Sequence, residues 1–176
     1  MARIKYKKKP LLIASAALVA LLGAGAASLT LEATARHEGY VPQAYLDPVG
    51  VWTKCFGDTQ DVTPGAVYSD AECLRSLNDA VERHTKPVLA CVPGLAGQAD
   101  EVKAAFVSMA YNIGVSAFCG SSVADYARAG DWSAACKRIA QIYRRAGGRE
   151  LPGLVKRRAD ESALCLRGLS RQGGGV

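Results

Sequence analysis

The chain has 176 residues, 49% of them hydrophobic, with 22 Lys and Arg against 16 Asp and Glu for a net charge of +6. Five of the basic side chains and no acid lie in the first 30 residues, so only about +1 remains on the rest; a nucleic-acid binder would carry its basicity on the folded domain, and that class is excluded. Two histidines and no Cys-x-x-Cys pair also argue against a zinc site, and no cofactor is expected.

From Pro10 to Leu31 runs an uncharged stretch of 22 residues, placed directly after Arg3, Lys5, Lys7, Lys8 and Lys9. As a helix it can span the roughly 30 Å hydrocarbon core of a bilayer, with the basic flank on the cytoplasmic side. Of residues 11–30 only eight are large aliphatics, and the other twelve are Ala, Gly, Ser and Thr. Small side chains gain little at about 25 cal/mol per Å² of apolar surface, so the segment directs export and anchors weakly. Two readings stand at this point. One is a cleavable signal peptide with Ala24-Gly25-Ala26 as its small-x-small site; the other is an uncleaved signal anchor. Either way residues 1–31 form the export segment and 32–176 the exported domain, of ordinary single-domain size.

Thr30 to His37 continues as a short helical pattern, stopped by Gly39 and Pro42. Residues 40–68 then turn to aromatics, β-branched residues and turns. Asp47-Pro48-Val49-Gly50 reads as a turn, Val51 to Phe56 as a strand and Gly57-Asp58 as another turn. Ser69-Asp70-Ala71-Glu72 is a capping box that opens a helix with Leu74, Leu77 and Val81 on one stripe. Pro87 and Pro93-Gly94 punctuate the next stretch, leaving a short helix around Val88–Cys91. Residues 98–111 form the best core helix, with Val102, Phe106 and Met109 on one face. Helices follow from Ser121 to near Gly130, from Asp131 to Arg145, and from about Gly153 to Arg167, before a tail RQGGGV expected to be disordered. The fold class is α+β: a small β-containing lobe, then a larger helical lobe.

Six cysteines, Cys55, Cys73, Cys91, Cys119, Cys136 and Cys165, all follow the apolar segment. In an exported domain an even count suggests up to three disulfides. Neighbours in sequence close the least costly loops, which gives Cys55–Cys73, Cys91–Cys119 and Cys136–Cys165, each stabilising by roughly 2–4 kcal/mol. Charge is uneven along the chain: residues 31–101 carry a net −6 and 102–176 a net +7. Two solvated faces of opposite sign account for this, as would a basic surface drawn to an anionic polymer such as a cell wall.

The stretch Arg36-His37-Glu38-Gly39-Tyr40 to Asp47, and on to Trp52-Thr53, places two carboxylates nine residues apart and a hydroxyl six residues later. Glu38 closes a helix and Asp47 lies in the first turn of the sheet, so both can face the junction between the lobes. Glycoside hydrolysis needs such a pair, one protonated to donate to the leaving oxygen and one ionised to orient a water or support positive charge. The bare spacing is weak. A helix-terminus contact for Glu38, a turn role for Asp47 and a strand role for Thr53 would produce it equally well.

The surrounding sequence resembles the phage-type lysozymes, the muramidases of glycoside hydrolase family 24. The strand Gly50-Val51-Trp52-Thr53-Lys54-Cys55-Phe56-Gly57-Asp58-Thr59 is similar to that family's signature. Residues 68–73, 108–114 and 153–161 look like its later blocks, so the resemblance spans about 32–170. It implies hydrolysis of the β-1,4 bond between N-acetylmuramic acid and N-acetylglucosamine in peptidoglycan, with Glu38 as general acid and with Asp47 and Thr53 positioning the water of an inverting displacement. Such a pair stands roughly 6.5–9.5 Å apart. Tyr111 and Asn112 would support the cleft floor or serve as a core aromatic and a helix cap. Arg157 and Arg158 would pair with acidic groups, and His37 would face away from Glu38.

Many family members have Gly where this chain has Cys55. In a regular strand Cys55 shares a face with Thr53, so its oxidation state is expected to shape the site. The resemblance also changes the reading of residues 10–31, which are similar to the signal-anchor-release segments of some phage endolysins. It implies a monomeric protein held in the host inner membrane facing the periplasm, inactive until release, with peptidoglycan as its partner. Two alternatives stay open: a lytic transglycosylase, and a tethered wall-binding module without catalysis.

Overall fold

The computed structural model describes residues 10–47 and 50–173. Helices α1 (Ala16–Leu22) and α2 (Ala24–His37) lead into a hairpin of β1 (Val41–Leu46) and β2 (Trp52–Cys55). Five helices follow, α3 (Asp70–Cys91), α4 (Asp100–Ile113), α5 (Val115–Cys119), α6 (Ser122–Arg128) and α7 (Trp132–Ile139). A two-residue-per-strand hairpin, β3 (Arg145–Ala146) with β4 (Arg149–Glu150), precedes the long α8 (Pro152–Gly173). This is the α+β arrangement expected, a small sheet against a larger helical body. Pro48 and Val49 of the expected turn lie outside the described residues, as do the last three residues of the tail; Arg171, Gln172 and Gly173 belong to α8.

α4 is the centre of the body. Val102, Ala104 to Val107, Met109 and Ala110 are all buried, because α2, α3 and α8 pack around it. A helix apolar on nearly every face is one that neighbours surround. On α8, Gly168 makes the closest approach: a Cβ there would lie 3.0 Å from the Glu101 Cβ and 3.2 Å from the Val102 backbone nitrogen. All three disulfides join the expected partners, Cys55–Cys73, Cys91–Cys119 and Cys136–Cys165. They tie β2 to α3, α3 to α5, and α7 to α8.

The apolar N-terminal stretch is folded into this core. α1 and α2 meet at Gly23, whose φ of 86° lies in the left-handed region open to glycine, and the two helix axes differ by 110°. Leu18, Leu22, Ala26, Ala27 and Leu31 are buried among residues of the helical body. Polar contacts secure the backbone where it enters. The Asn78 side chain accepts from Ser15 N–H at 2.7 Å and donates to the Ile13 carbonyl at 3.0 Å. Lys103 donates to the Leu22 carbonyl exposed by the bend. No single helix among the described residues is long and apolar enough to cross a membrane; α1 and α2 reach that length and composition only together.

Several boundaries differ from the sequence reading. α3 opens on the expected capping box, with Ser69 and Glu72 bonded reciprocally, yet it runs through Pro87 to Cys91. An interior proline costs about 3 kcal/mol in a helix. Burial of Leu77, Val81 and Val88 on the same helix outweighs that local preference. α2 begins at Ala24 rather than Thr30, because Gly23 and not the end of the apolar run sets the break. The expected helix from Asp131 to Arg145 stops at Ile139, and Gly147-Gly148, both with positive φ, turn a hairpin rather than end a helix.

Candidate active site

Glu38 caps the C-terminal end of α2 in an extended conformation (φ −91°, ψ 141°), which swings its side chain from the helix toward α8. There its Oε1 accepts a hydrogen bond from Arg157 Nη1 at 2.7 Å. A charged wall therefore stands beside Glu38 on the α8 side. On the sheet side Gly57 comes near: a Cβ at that position would lie 3.5 Å from Glu38 Oε2. Gly57 has φ of 86°, so glycine serves both the turn and the access to the carboxyl group.

The hairpin carries the other two residues. β1 and β2 are antiparallel, with Tyr45 opposite Thr53 and Leu46 opposite Trp52. Asp47 follows β1 directly. Its N–H donates to the Val51 carbonyl and its carboxylate accepts from Val51 N–H at 2.8 Å. Thr53 is buried, and its hydroxyl donates to the same Val51 carbonyl at 3.1 Å. Asp47 and Thr53 are thus organised around one residue, Val51. Cys55, on the same buried face as Thr53, bridges to Cys73 with its own φ at 56°.

A groove of about 580 Å³ opens beside Glu38, walled by Arg36, His37, Asn112, Leu154, Arg157 and Asp160 among others. Asp47 and Thr53 are not among its walls; they belong to the β1–β2 hairpin. Asn112 does line it, held through an accepted bond from Arg158 Nη2 at 3.0 Å. Tyr111 instead turns inward, its hydroxyl donating to the Phe56 carbonyl at 3.4 Å and its ring beside His84. Burial, with the charge of Glu38 next, pushes the Tyr111 hydroxyl well above its usual range.

His37 does not face away from Glu38 as expected; it lines the same groove, its Nε2 3.6 Å from Asp160. The cause is the helix end, where the chain leaves helical geometry at Glu38 and the 100° separation of neighbours no longer holds. Burial, with Arg157 adding to it, drops His37 from 6.5 to about 4. The sign follows directly: the unfolded chain binds the proton first, so stability from this group is lost as pH falls from 6.5 toward 4. Allowing for solvent at the groove wall, the loss is about 1–2 kcal/mol. Denaturant unfolding at pH 7 and pH 4.5 is expected to show that slope flattened in His37→Gln; an unchanged slope would assign it to other groups.

Arg157 is the site residue that the spacing of carboxylates could not reveal, although the block at 153–161 contained it. It is buried, with Nε donating to Glu161 at 3.2 Å and Nη2 to the Ser108 carbonyl at 3.3 Å. Its role as partner of acidic groups is as expected, and one of those groups is Glu38 itself. Among the described residues no group of His, Cys, Asp and Glu is arranged to hold a metal ion.

Comparison with known proteins gives a consistent family. The phage lysozyme family model matches residues 35–161. The SAR-endolysin of Enterobacteria phage P21 is 33% identical over 165 residues, covering 86% of this chain and 94% of that protein. The SAR-endolysin of Bacteriophage PS119 is 34% identical over 136 residues, covering 74% and 77%. Among solved structures, the active form of P1 phage endolysin Lyz superposes with a TM-score of 0.73 at 24% identity, covering 91% of this chain and 98% of that one. The muramidase domain of SpmX from Asticaccaulis excentricus matches with a TM-score of 0.66 at 26% identity, over 78% and 94%.

Proposed function

The chain belongs to the phage lysozyme family, and from that premise we propose how its residues carry out the family's chemistry. It is an endolysin, a glycoside hydrolase of the muramidase type that lyses host peptidoglycan. Glu38 is the general acid. It protonates the glycosidic oxygen between N-acetylmuramic acid and N-acetylglucosamine as that bond breaks, and charge develops on the anomeric carbon. A water held by Asp47 and Thr53 attacks that carbon from the opposite face and gives up its proton to Asp47, which leaves a reducing sugar with inverted configuration. The observation that carries this reading is the Arg157–Glu38 contact at 2.7 Å in the groove wall. A guanidinium there stabilises the carboxylate left behind when the proton has gone.

The discriminating experiment is the chemistry of the sugar ends. Digested cell walls are expected to carry reducing N-acetylmuramic acid; a product of anhydro ends alone would make the enzyme a lytic transglycosylase.

The N-terminal segment has a second role in this reading. Residues 10–31, as a straight helix at 1.5 Å per residue, would be about 33 Å long, enough to cross a bilayer. Folded, Leu18, Leu22 and Leu31 are instead part of the protein core. The same side chains therefore leave water in either of two ways, and the Ala-Gly composition keeps the membrane option weak. The tethered monomer, facing the periplasm from the host inner membrane, is inactive on two counts. It is held off the wall, and without α1 docked against α3 and α2 against α4, Glu38 is not brought to Arg157. The boundary at 31/32 describes the tethered state, whereas the released enzyme is one body. Fractionation before and after collapse of the membrane potential should move the full-length chain, with its lytic activity, from membrane to periplasm. A periplasmic chain found only without the residues up to Ala26 would point to cleavage.

A further inference from the structure

Behind Glu38 lies a buried ionic cluster larger than the hydrolytic scheme uses. Arg157, Arg158 and Glu161, all on α8, are almost inaccessible to solvent. Glu161 Oε1 accepts from Ser108 Oγ at 2.8 Å, from Arg158 Nη2 at 3.1 Å and from Arg157 Nε at 3.2 Å. Its Oε2 lies 2.9 Å from Arg158 Nη2. Every one of these contacts is a donor. Burial pushes the Glu161 carboxyl above the usual carboxylate range, while the two guanidiniums and Ser108 pull the other way; each group it contacts is a donor, which favours the carboxylate form.

Arg157 has little freedom as a result. Nε is fixed by Glu161 and Nη2 by the Ser108 carbonyl, which leaves Nη1 aimed at Glu38. A guanidinium is planar and rigid, so fixing two of its nitrogens sets the direction of the third. The charge count matters equally. Two buried cations with one buried anion give the cluster behind Glu38 a single net positive charge; without the Glu161 carboxylate there would be two.

We propose that Glu161 is a positioning residue for the general acid, aiming Arg157 at Glu38 and offsetting the positive charge of the cluster behind it. This deepens the reading of Glu38 given above and rests on it. Other groups around the pair are accounted for. Facing Glu38 are Tyr111 from α4, Arg36 and His37 on its own helix, and Lys156 with Asp160 from α8, which are bonded to each other at 2.8 Å. Asp58 and Arg83 act on Tyr111 from farther off. Facing Glu161, across a cavity of about 100 Å³, are Glu32, Arg36 and His37 from α2 and Asp160 and Arg167 from α8.

The test uses the full-length, disulfide-bonded enzyme on soluble peptidoglycan fragments from pH 4 to 9 at fixed ionic strength. Glu161→Gln keeps the shape and removes the charge. It is expected to lower kcat about tenfold with KM within about twofold, and to move the alkaline limb of the kcat profile to lower pH by about one unit. Glu161→Asp keeps the charge and shortens the reach, so kcat should fall about tenfold with the limb in place. A merely structural role would lower the melting temperature and leave the limb of the folded fraction unmoved. A Gln variant with wild-type kcat or a wild-type limb overturns the proposal; where that variant folds poorly, an Asp variant at wild-type kcat does so. Glu38→Gln, measured alongside, separates the two levels. If it is active, the general-acid assignment itself fails; if it is dead while both Glu161 variants behave as wild type, only the positioning role fails.

Discussion

Glu38→Gln is expected to lower the rate of cell-wall lysis by about a thousandfold while changing unfolding stability by no more than about 1 kcal/mol. The two halves of that expectation come from different physics. The amide has nearly the shape of the acid, and its oxygen can still accept the bond from Arg157 Nη1. Arg157 also keeps Glu161 and the Ser108 carbonyl as partners, so its buried charge is not abandoned. What the amide cannot do is release a proton to the departing glycosidic oxygen. A general acid contributes about 10² to 10⁴ in rate, and the Arg157 contact strengthens as the proton leaves, so the loss sits in kcat rather than in KM. Asp47→Asn should cost less, about a hundredfold, because Thr53 can still hold a water. Turbidity clearing and thermal melts on the same preparations decide the matter. A Glu38→Gln enzyme with more than a tenth of wild-type activity would remove the general-acid role.

The helix-closing Glu38, the hairpin strand around Thr53, the capping box at Ser69 and all three disulfides are legible in the sequence because each is a local signal. A capping box is read in four residues, and short disulfide loops follow from chain entropy alone. The features that escape such a reading are those that tertiary packing decides. Pro87 is a helix breaker on propensity, but the side chains around it are buried by α4 and the rest of the body, so α3 passes through. Residues 10–31 have the composition of a span, and nothing local in them says that Gly23 bends by left-handed geometry or that Asn78, more than 60 positions away, recognises residues 13 and 15. Ideal helical rotation turns His37 away from Glu38, and it fails at the last residue before an extended cap. Arg157 lies in a block that resembles the family throughout. Only the fold could show that its third nitrogen reaches back 119 positions to Glu38.

The backbone at Cys55 leads to the second expected result, in which two ways of losing the same disulfide differ. Cys55→Gly with Cys73→Ala and Cys55→Ser with Cys73→Ala both remove the cross-link that closes a loop of 18 residues, each at a cost of about 3 kcal/mol. Cys55 also holds φ at 56°, a left-handed conformation that strains a residue with a Cβ by roughly 1 kcal/mol and glycine hardly at all. With the cross-link gone, nothing obliges a serine in place of Cys55 to stay there, and residues 53–57 can relax toward extended geometry. That segment carries Thr53 at one end and, at the other, Gly57 against Glu38. A displacement of about 1 Å at either end is costly to a positioned water and acid. The Gly variant should therefore keep lytic activity within about threefold of the oxidised wild type and exceed the Ser variant's stability by roughly 1 kcal/mol, with the Ser variant about tenfold slower. Reduced wild type, which keeps the Cβ and loses the bond, should behave like the Ser variant. Equal rates for the two double variants would mean that the covalent bond alone matters, and that glycine at this position in many family members has another cause.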